Sequence, residues 1–562
     1  MTDKIADEER LLDEARAQGR GATLKVYSKL SGPGWLQSAI TLGGGSLASA
    51  LYLGVLSGYR MLWVQIVAML LGVVMLSAIG YVTLSTGERP FGAICKHINP
   101  VLGWGWLVAV LMANVVWALP QFSLGTAALQ QNLAPGIGTL PCVLLIFALA
   151  TTVIWFYDSG AKGIRIFEWV LKGMVALVVL CFFGVVATMT FSEAGLPWSS
   201  IFGGLVPDLS MLNAPAADFV PFLDASAVGD WWRAKIVSQQ QDVMIAAAAT
   251  AVGINMTFLL PYSMLRKGWG RAHRGLATFD LSTGLLIPFA IATSCVVIAA
   301  GSQFHTKYDA ALLDDPAAAV KNDGYLKGLD ARLKHGLDET AYAAASVAPA
   351  LKDDLGEEGF AARVAATLPT IDLADRQLAA MLLKRDAFAL AKSLEPMTGQ
   401  TVAQVVFGVG VLGMAVSTVI ILMLISGFAF CEAFGKEPRG HAHRMGALVA
   451  GVVGCLGPYV WSGEAKFYLA VPTSNFGMAL LPIAYWTFFL MMNSRSLLGE
   501  HLPQGGKRVA INVVMGTAAG VATFASVVTI HKNLGVPGLG YLAAFLLLAV
   551  VVHFRRKGAA NS

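Results

Sequence analysis

Long runs of uncharged residues recur along the chain and are separated by short segments that hold charges, glycines and prolines. A helix needs about 20 apolar residues to cross the hydrocarbon core of a bilayer, so each run of that length predicts a membrane-spanning helix, and about twelve are found. A turn at 135–138 divides the long uncharged stretch 101–157 into two helices. The predicted spans cover 30–59, 61–85, two helices in 101–157, 167–191, 243–265, 281–300 and 401–431, and four more begin near Met445, Phe467, Val509 and Asn533.

Composition strengthens this interpretation. Hydrophobic residues make up 56% of the chain and charged residues 13%, against about 25% charged residues in soluble domains. The sequence therefore predicts an all-α polytopic integral membrane protein. No phosphate-binding loop, serine triad or HExxH motif is present, and the six cysteines lack the paired spacing of a zinc site or a disulfide framework. We expect neither enzymatic activity nor a cofactor.

Basic residues of the short loops lie mostly on one side of the predicted spans, and that side is expected to be cytoplasmic. This pattern places the N-terminal tail 1–29 and the C-terminal tail 555–562 in the cytoplasm, with the protein in the inner (plasma) membrane. The net charge of +5 needs no nucleic-acid partner. The expected partners are the lipid bilayer and a transported ion or small solute. The sequence leaves the oligomeric state open, and a monomer is compatible with it.

Two long segments cannot cross the membrane and are expected on the extracytoplasmic side. The first, 192–241, lies within the region 30–301 that holds spans 1 to 7. The second, 302–400, separates that region from spans 8 to 12 in 401–554. It is rich in alanine and in charges of both signs, which favours short amphipathic helices that cap the membrane domain. A passive cap and a role in partner binding or gating both remain open for it.

Two of the predicted spans contain residues that interrupt a helix. Span 1 carries three successive glycines followed by serine at 43–46, and each glycine disfavours a helix by about 1 kcal/mol. Span 6 carries Gly253 and then Pro261, which cannot donate an amide proton to the helical ladder. Interruptions five spans apart are typical of transporters that contain two inverted repeats, which bind substrate where the paired helices unwind. Close packing of small residues is the plainer explanation of each break taken alone.

The residues around the first break resemble the start of the Nramp family of divalent metal transporters. The sequence Gly32-Pro33-Gly34-Trp35-Leu36 matches the family's GPGWL, and its DPGN motif falls on 43–46. Further similarity lies in the loop 86–100, at 163–168, and at 493–499, where the family has SNRKLMG. The resemblance implies a LeuT-type fold with two inverted five-helix repeats and two further helices.

The metal-binding positions of that family carry different residues in this chain. The family's Asp and Asn fall on Gly43 and Ser46, and its MPH motif falls on 255–257, so that the resemblance places Met256 one position away and facing out of the site. The backbone carbonyl that completes the family's site would come from Val252. The substrate-binding candidates are Thr41, Gly43, Ser46, Val252, Asn255 and Thr257, and the metal-ligand candidates among them are Ser46, Val252 and Asn255.

This neutral donor set leaves three hypotheses. A Mg-like divalent cation that keeps its water shell fits better than Mn or Fe, because tight binding of those metals favours an anionic or a soft ligand. An anion or a small organic solute such as bicarbonate or an amino acid could instead use bare amide protons at the helix start. The third hypothesis is a sensor that does not transport. The middles of spans 1, 3 and 6 hold no ionisable residue, so transport without proton coupling is expected.

A few residues near the predicted ends of spans have structural interpretations. Glu168 is expected to pair with Arg165, one helical turn away. Asp280 and Glu432 are expected to be solvated or to act as gate residues. Tryptophans near span ends are interpreted as interfacial anchors, as described for membrane proteins in general. Trp104, Trp106, Trp117 and Trp155 belong to this group.

Overall fold

A computed structural model describes residues 2–157, 159, 161–193, 195–385, 387–460, 468 and 470–561. All regular secondary structure in these ranges is helical, as the sequence predicts. Span 1 consists of two helices, 1a and 1b, that meet at an angle of 55°. The first five spans are Pro33–Thr41 (1a) and Gly44–Ser57 (1b), Leu62–Thr86 (2), Pro100–Ala128 continued by Leu129–Leu133 (3), Thr139–Tyr157 (4) and Ala161–Thr190 (5).

Span 6 is also divided in two, and span 7 changes its helical winding for one turn at 282–286 before it continues. Span 6a begins at Gly229, so the last part of the predicted outer loop 192–241 belongs to that helix rather than to a loop. The remaining spans are Gly229–Ala251 (6a) and Ile254–Lys267 (6b), Arg274–Leu281 continued through Ser282–Leu286 to Phe304 (7), Thr401–Val406 continued by Phe407–Ala433 (8), Gly440–Gly454 with Gly457–Val460 (9) and Ala470–Met492 (10).

The last helix, Gly505–Asn561, contains two spans. Gly535 has φ 60° and ψ −152°, a backbone conformation that residues with a Cβ rarely adopt. It separates span 11 from span 12. Within the described ranges, nine helices are long and apolar enough to cross a membrane, and the bent pair 1a and 1b makes a tenth. The division at Gly535 and the short span 9 bring the described spans to the predicted twelve.

Helical segments outside the membrane domain cover both of its ends; we call the end with the N-terminal helices the inner end and the end with the insertion the outer end. At the inner end, Thr2–Gln18 and Arg20–Leu30 form two helices, so the predicted tail is structured, and the Arg16 guanidinium donates a hydrogen bond of 2.5 Å to the Ala272 carbonyl between spans 6b and 7. At the outer end, the insertion forms short helices between Ala311 and Thr398, as its composition predicts. The Tyr52 hydroxyl of span 1b donates a hydrogen bond to the Arg385 carbonyl of the insertion.

The broken spans pack at the centre of the bundle, where small residues permit close contact. A Cβ added at Gly54 of span 1b would lie 2.6 Å from the Val297 carbonyl oxygen of span 7. All residues of span 1b are buried, whereas spans 11 and 12 are largely exposed on the bundle surface. The central position of spans 1 and 6 places both breaks inside the protein, where irregular backbone is tolerated in a membrane.

Candidate functional site

The first break lies between Thr41 and Gly44. Leu42 has φ −78° and ψ 63°, and Gly43 has φ −118° and ψ −177°, so neither residue continues the helix. The Ser46 hydroxyl closes the loop: it donates a hydrogen bond to the Thr41 carbonyl and accepts one of 3.2 Å from the Gly43 N–H. The predicted break is therefore present, and the Ser46 side chain is engaged in holding it.

A side chain of span 3 supports the start of span 1b. The Gln121 Oε1 atom accepts a hydrogen bond of 3.0 Å from the Gly44 N–H, and the Nε2 atom of the same carboxamide is buried without a partner among the described residues. Gln121 thus provides a hydrogen-bond acceptor for one of the backbone N–H groups at a helix start, which have no acceptor within the helix itself. Its own amide group remains available beside the break.

The second break lies at Val252 and Gly253, which have φ/ψ values of −139°/101° and −77°/161°. The Met256 N–H donates a hydrogen bond of 3.0 Å to the Asn255 Oδ1 atom in the first turn of span 6b. The Met256 sulfur accepts a hydrogen bond of 3.0 Å from the Thr41 hydroxyl and one of 3.3 Å from the Gly253 N–H. Met256 therefore faces the first break, and the interpretation that it points out of the site is wrong.

A cavity with an empty volume of about 350 Å³, including the part that opens to solvent, lies between the two breaks. Spans 1, 3, 6 and 8 supply its walls. The C-terminal ends of spans 1a and 6a and the N-terminal starts of spans 1b and 6b all meet at it, so partial charges of both signs surround the same space. The lining residues are Ile40, Thr41, Gly43, Gly45, Ser46, Trp117, Gln121, Ala249, Thr250, Gly253, Asn255, Met256, Thr418 and Leu422.

The structure brings four of the six candidate residues to this cavity, namely Thr41, Gly43, Ser46 and Asn255. The other two are not among its lining residues. Thr257 is fully buried and accepts a hydrogen bond of 2.9 Å from the Trp106 indole of span 3. Val252 is also buried, and a Cβ added at Gly72 of span 2 would collide with its side chain. Thr257 thus fixes span 6b against span 3, and the Val252 side chain packs against span 2.

Several lining residues escaped the sequence interpretation. Trp117 lies beside Gly45 and Gly477 instead of anchoring the chain at the membrane surface, and Trp106 is fully buried. A Cβ added at Gly43 would lie 2.5 Å from the Thr418 hydroxyl of span 8. The sequence did contain a signal for these residues. They are polar residues inside uncharged runs, and polar residues within a membrane span are functional candidates. The residues in question are Gln121, Thr250 and Thr418.

The donor set around the cavity is electrically neutral. Its side chains offer hydroxyl groups, two carboxamides, one thioether and one indole, and its backbone adds amides and carbonyls. Within the described ranges, no three His, Cys, Asp or Glu residues lie close enough together to hold a metal ion. The cavity can therefore hold a polar or charged species through the dipoles of these groups and through water bound to that species.

Charged groups lie at the inner end of the bundle, around the start of span 1a. The Asp280 carboxylate is buried and accepts hydrogen bonds from the N–H groups of Gly34 and Gly32, so it is not solvated. Glu168 forms an ion pair of 3.0 Å with Lys267 of span 6b instead of the predicted pair with Arg165. The Asp280 contacts connect spans 1a and 7, and the Glu168 ion pair connects spans 5 and 6b.

A second ion pair lies near the inner ends of spans 2 and 8. The Arg89 guanidinium lies 3.3 Å from the Glu432 carboxylate and 2.6 Å from that of Glu437. The Glu432 side chain is only 8% exposed, so this residue too is paired rather than solvated. Burial alone would lower the pKa of Arg89, but the neighbouring carboxylates outweigh it and raise that pKa.

Two broken helices that meet at a central cavity within a twelve-span bundle define the LeuT-type class of membrane transport proteins. The family model described as "Natural resistance-associated macrophage protein-like" matches residues 34–322 and 375–532. The chain belongs to the Nramp family, as the motifs at the first break indicate. This membership places it among membrane transporters and not among enzymes.

Relatives in sequence support the family, and a solved structure supports the fold. The chain is 29% identical over 182 residues to Metal transporter Nramp4 of Arabidopsis thaliana, covering 32% of this chain and 34% of that protein. It is 30% identical over 197 residues to Metal transporter Nramp6.2 of Populus trichocarpa, covering 34% of each. The chain thus spans about a third of the length of these relatives. A crystal structure of a mutant manganese transporter from Eremococcus coleocola shares the fold, with a TM-score of 0.54, 13% identity and 95% and 96% of the two chains covered.

Proposed function

We propose that this protein transports a divalent metal cation that keeps most of its water shell, by alternating access through the cavity between spans 1, 3, 6 and 8. The observation that carries the proposal is the meeting of both helix breaks at one cavity lined by neutral oxygen donors. Mg²⁺ dehydrates reluctantly and usually keeps several waters in protein sites. Hydroxyl and carboxamide groups can bind those waters without replacing them.

The donor groups of the cavity support a hydrated ion, because four hydroxyls and two carboxamides line it and each can form a hydrogen bond with a water of the ion. A carboxylate would favour direct contact with the metal, but the position that the family gives to its Asp is Gly43. For Mg²⁺ we therefore propose outer contacts to Thr41, Ser46 and Asn255 and direct contact only through backbone carbonyls.

The position of Met256 changes the expected selectivity. Its thioether faces the cavity, and soft sulfur ligands favour transition metals over Mg²⁺. The sulfur is held by the Thr41 hydroxyl and the Gly253 amide. We propose that Mg²⁺ and Mn²⁺ both enter the cavity and that Mg²⁺ transport does not use the sulfur.

We propose that transport is not coupled to protons, because the lining residues contain no group that titrates near neutral pH. We place the protein in the inner (plasma) membrane with both termini in the cytoplasm. The one-sided distribution of basic residues in the short loops supports this orientation.

Uptake into proteoliposomes tests the proposal. Wild-type protein should take up Mg²⁺ saturably, and Asn255→Ala should reduce uptake at least tenfold, since it removes the carboxamide that faces the cavity. A matched control is Thr126→Val, which alters a buried hydroxyl of span 3 that does not line the cavity. Wild-type vesicles that accumulate neither Mg²⁺ nor Mn²⁺ would reject the proposal.

An anion is the second candidate, and one observation favours it. At the outer end of the bundle, the Lys384 ammonium lies 3.8 Å from the centre of the Tyr468 ring, and the Lys235 ammonium lies 4.5 Å from that of Trp231. Neither forms an ion pair with a described residue, although burial lowers the pKa of the Lys384 ammonium and so weakens its positive charge. Positive charge at the outer end of the bundle attracts anions and repels cations.

The substitution Gln121→Glu separates the two candidates. The carboxylate keeps an acceptor for the Gly44 N–H, adds a negative charge beside the cavity and removes the Nε2 donor. For a cation substrate, we expect a lower KM for Mg²⁺ uptake. For an anion such as bicarbonate, uptake should be lost, and wild-type bicarbonate uptake without metal uptake would establish the second candidate.

A further inference from the structure

Asn114 lies in the middle of span 3 and is 0% exposed, yet neither its Oδ1 nor its Nδ2 atom has a hydrogen-bond partner among the described residues. A buried carboxamide without partners is unfavourable, since it loses its hydrogen bonds to water and gains none in return. Such a group in a native protein calls for a bound water or ligand. Nothing in the function of the cavity described above uses it.

Contacts on either side of Asn114 show which way it faces. It lies seven residues before Gln121, which is two helical turns on the same face and about 10 Å along the axis. Gln121 contacts the start of span 1b, and Trp106, farther toward the inner end, contacts Thr257 of span 6b. This face of span 3 therefore passes from the start of span 1b to span 6b, and Asn114 lies between these two contacts, on the inner side of the breaks.

A second carboxamide with an unpartnered atom lies on span 1a. Gln37 is 0% exposed, and its Nε2 atom donates a hydrogen bond of 3.2 Å to the Met256 carbonyl, while its Oε1 atom has no described partner. Gln37 lies one turn before Thr41 on the same helix face. It is thus on the inner side of the cavity, as Asn114 is.

We propose that Asn114 and Gln37 form an inner subsite, continuous with the cavity, that binds the water shell of the substrate as it leaves toward the inner end. The proposal rests on the transport function proposed above. A carboxamide offers both donors and an acceptor, so the same pair can bind the waters of a hydrated cation and release them. Because neither group is charged, the subsite would not trap a divalent ion on its path.

The test compares Asn114→Leu with Thr126→Val, its matched control. Leucine preserves the approximate size of the side chain and removes its polar atoms, and Thr126 is also buried with an unpartnered hydroxyl on span 3 but lies on another face of that helix. We expect Asn114→Leu to reduce the kcat for Mg²⁺ uptake at least tenfold with less than a threefold change in Mg²⁺ affinity by calorimetry, and Thr126→Val to change neither. Unchanged uptake by Asn114→Leu would overturn the proposal.

A high-resolution structure of the wild-type protein in Mg²⁺ provides an independent result. Density for water or an ion within hydrogen-bonding distance of the Asn114 carboxamide supports the subsite, and a dry carboxamide overturns it. This readout does not depend on transport. If the wild-type protein moves no divalent cation, the proposed function fails, and the density beside Asn114 still decides whether the subsite exists.

Discussion

The Asp280 carboxylate of span 7 accepts a hydrogen bond of 2.7 Å from the Gly34 N–H in the first turn of span 1a. A second hydrogen bond of 3.1 Å comes from the Gly32 N–H. A carboxylate at a helix start satisfies free amides and interacts favourably with the helix dipole. Span 7 therefore holds the inner half of span 1 in place, and movement of span 1a away from span 7 must break this contact.

Replacing Asp280 by Ala is expected to loosen the inner end of span 1a. The loss of a charged acceptor from buried amides costs about 1–3 kcal/mol, so a cysteine placed at the buried Ser38 should react faster with a thiol reagent added from the inner side. Asp280→Asn keeps one acceptor oxygen and should give an intermediate rate. Equal rates in all three backgrounds would show that the contact does not hold span 1a.

A carboxylate at Gly43 tests why this site differs from its family. Gly43→Asp alone should impair transport, because the new Cβ would lie 2.5 Å from the Thr418 hydroxyl. The double variant Gly43→Asp with Thr418→Ala removes that conflict, and we expect it to bind Mn²⁺ at least tenfold more tightly in calorimetry, since an anionic oxygen favours direct metal contact.

Thr418→Ala alone is the control for that experiment. It should leave Mn²⁺ affinity within about threefold of the wild-type value, because the Thr418 hydroxyl is proposed to make no direct metal contact. If the double variant binds Mn²⁺ no better than Thr418→Ala does, the break at Gly43 is not a metal position.

Met256→Leu tests whether the thioether contributes to selectivity. Exchanges between Met and Leu at buried positions usually cost less than about 1.5 kcal/mol, so the fold should persist. We expect Mg²⁺ uptake to change less than threefold and Mn²⁺ uptake to fall at least fivefold, as competition assays in proteoliposomes can measure. Equal losses for both ions would indicate a packing role for the sulfur beside Thr41.

Proton movement gives a further prediction. Since no lining residue titrates near neutral pH, Mg²⁺ uptake should proceed without acidification of the vesicle interior, and its rate should vary less than threefold between pH 6 and pH 8. A pH-sensitive dye inside the proteoliposomes measures this directly. Acidification that depends on Mg²⁺ and disappears in Asn255→Ala would contradict uncoupled transport.

The sequence by itself determined the elements that depend on local patterns. Uncharged runs of about 20 residues gave the spans, because lipid excludes unpaired backbone and charge. Three glycines at 43–45 and the Gly253 region gave the two breaks, because local chain stiffness decides where a helix ends. The order of the family-like motifs along the chain gave the family.

Only the tertiary structure decided which side chains meet. A helix break does not specify the facing helix, so the contacts of Gln121 and Thr418 with span 1 depended on how spans 3 and 8 pack. Met256 faces the first break because the unwound backbone at Val252 and Gly253 turns span 6b, and an alignment by motif cannot show that rotation. Asp280 lies more than 240 residues from Gly34 in the chain. Their contact depends on tertiary packing, because a buried polar group forms its hydrogen bonds with the groups that packing brings close to it.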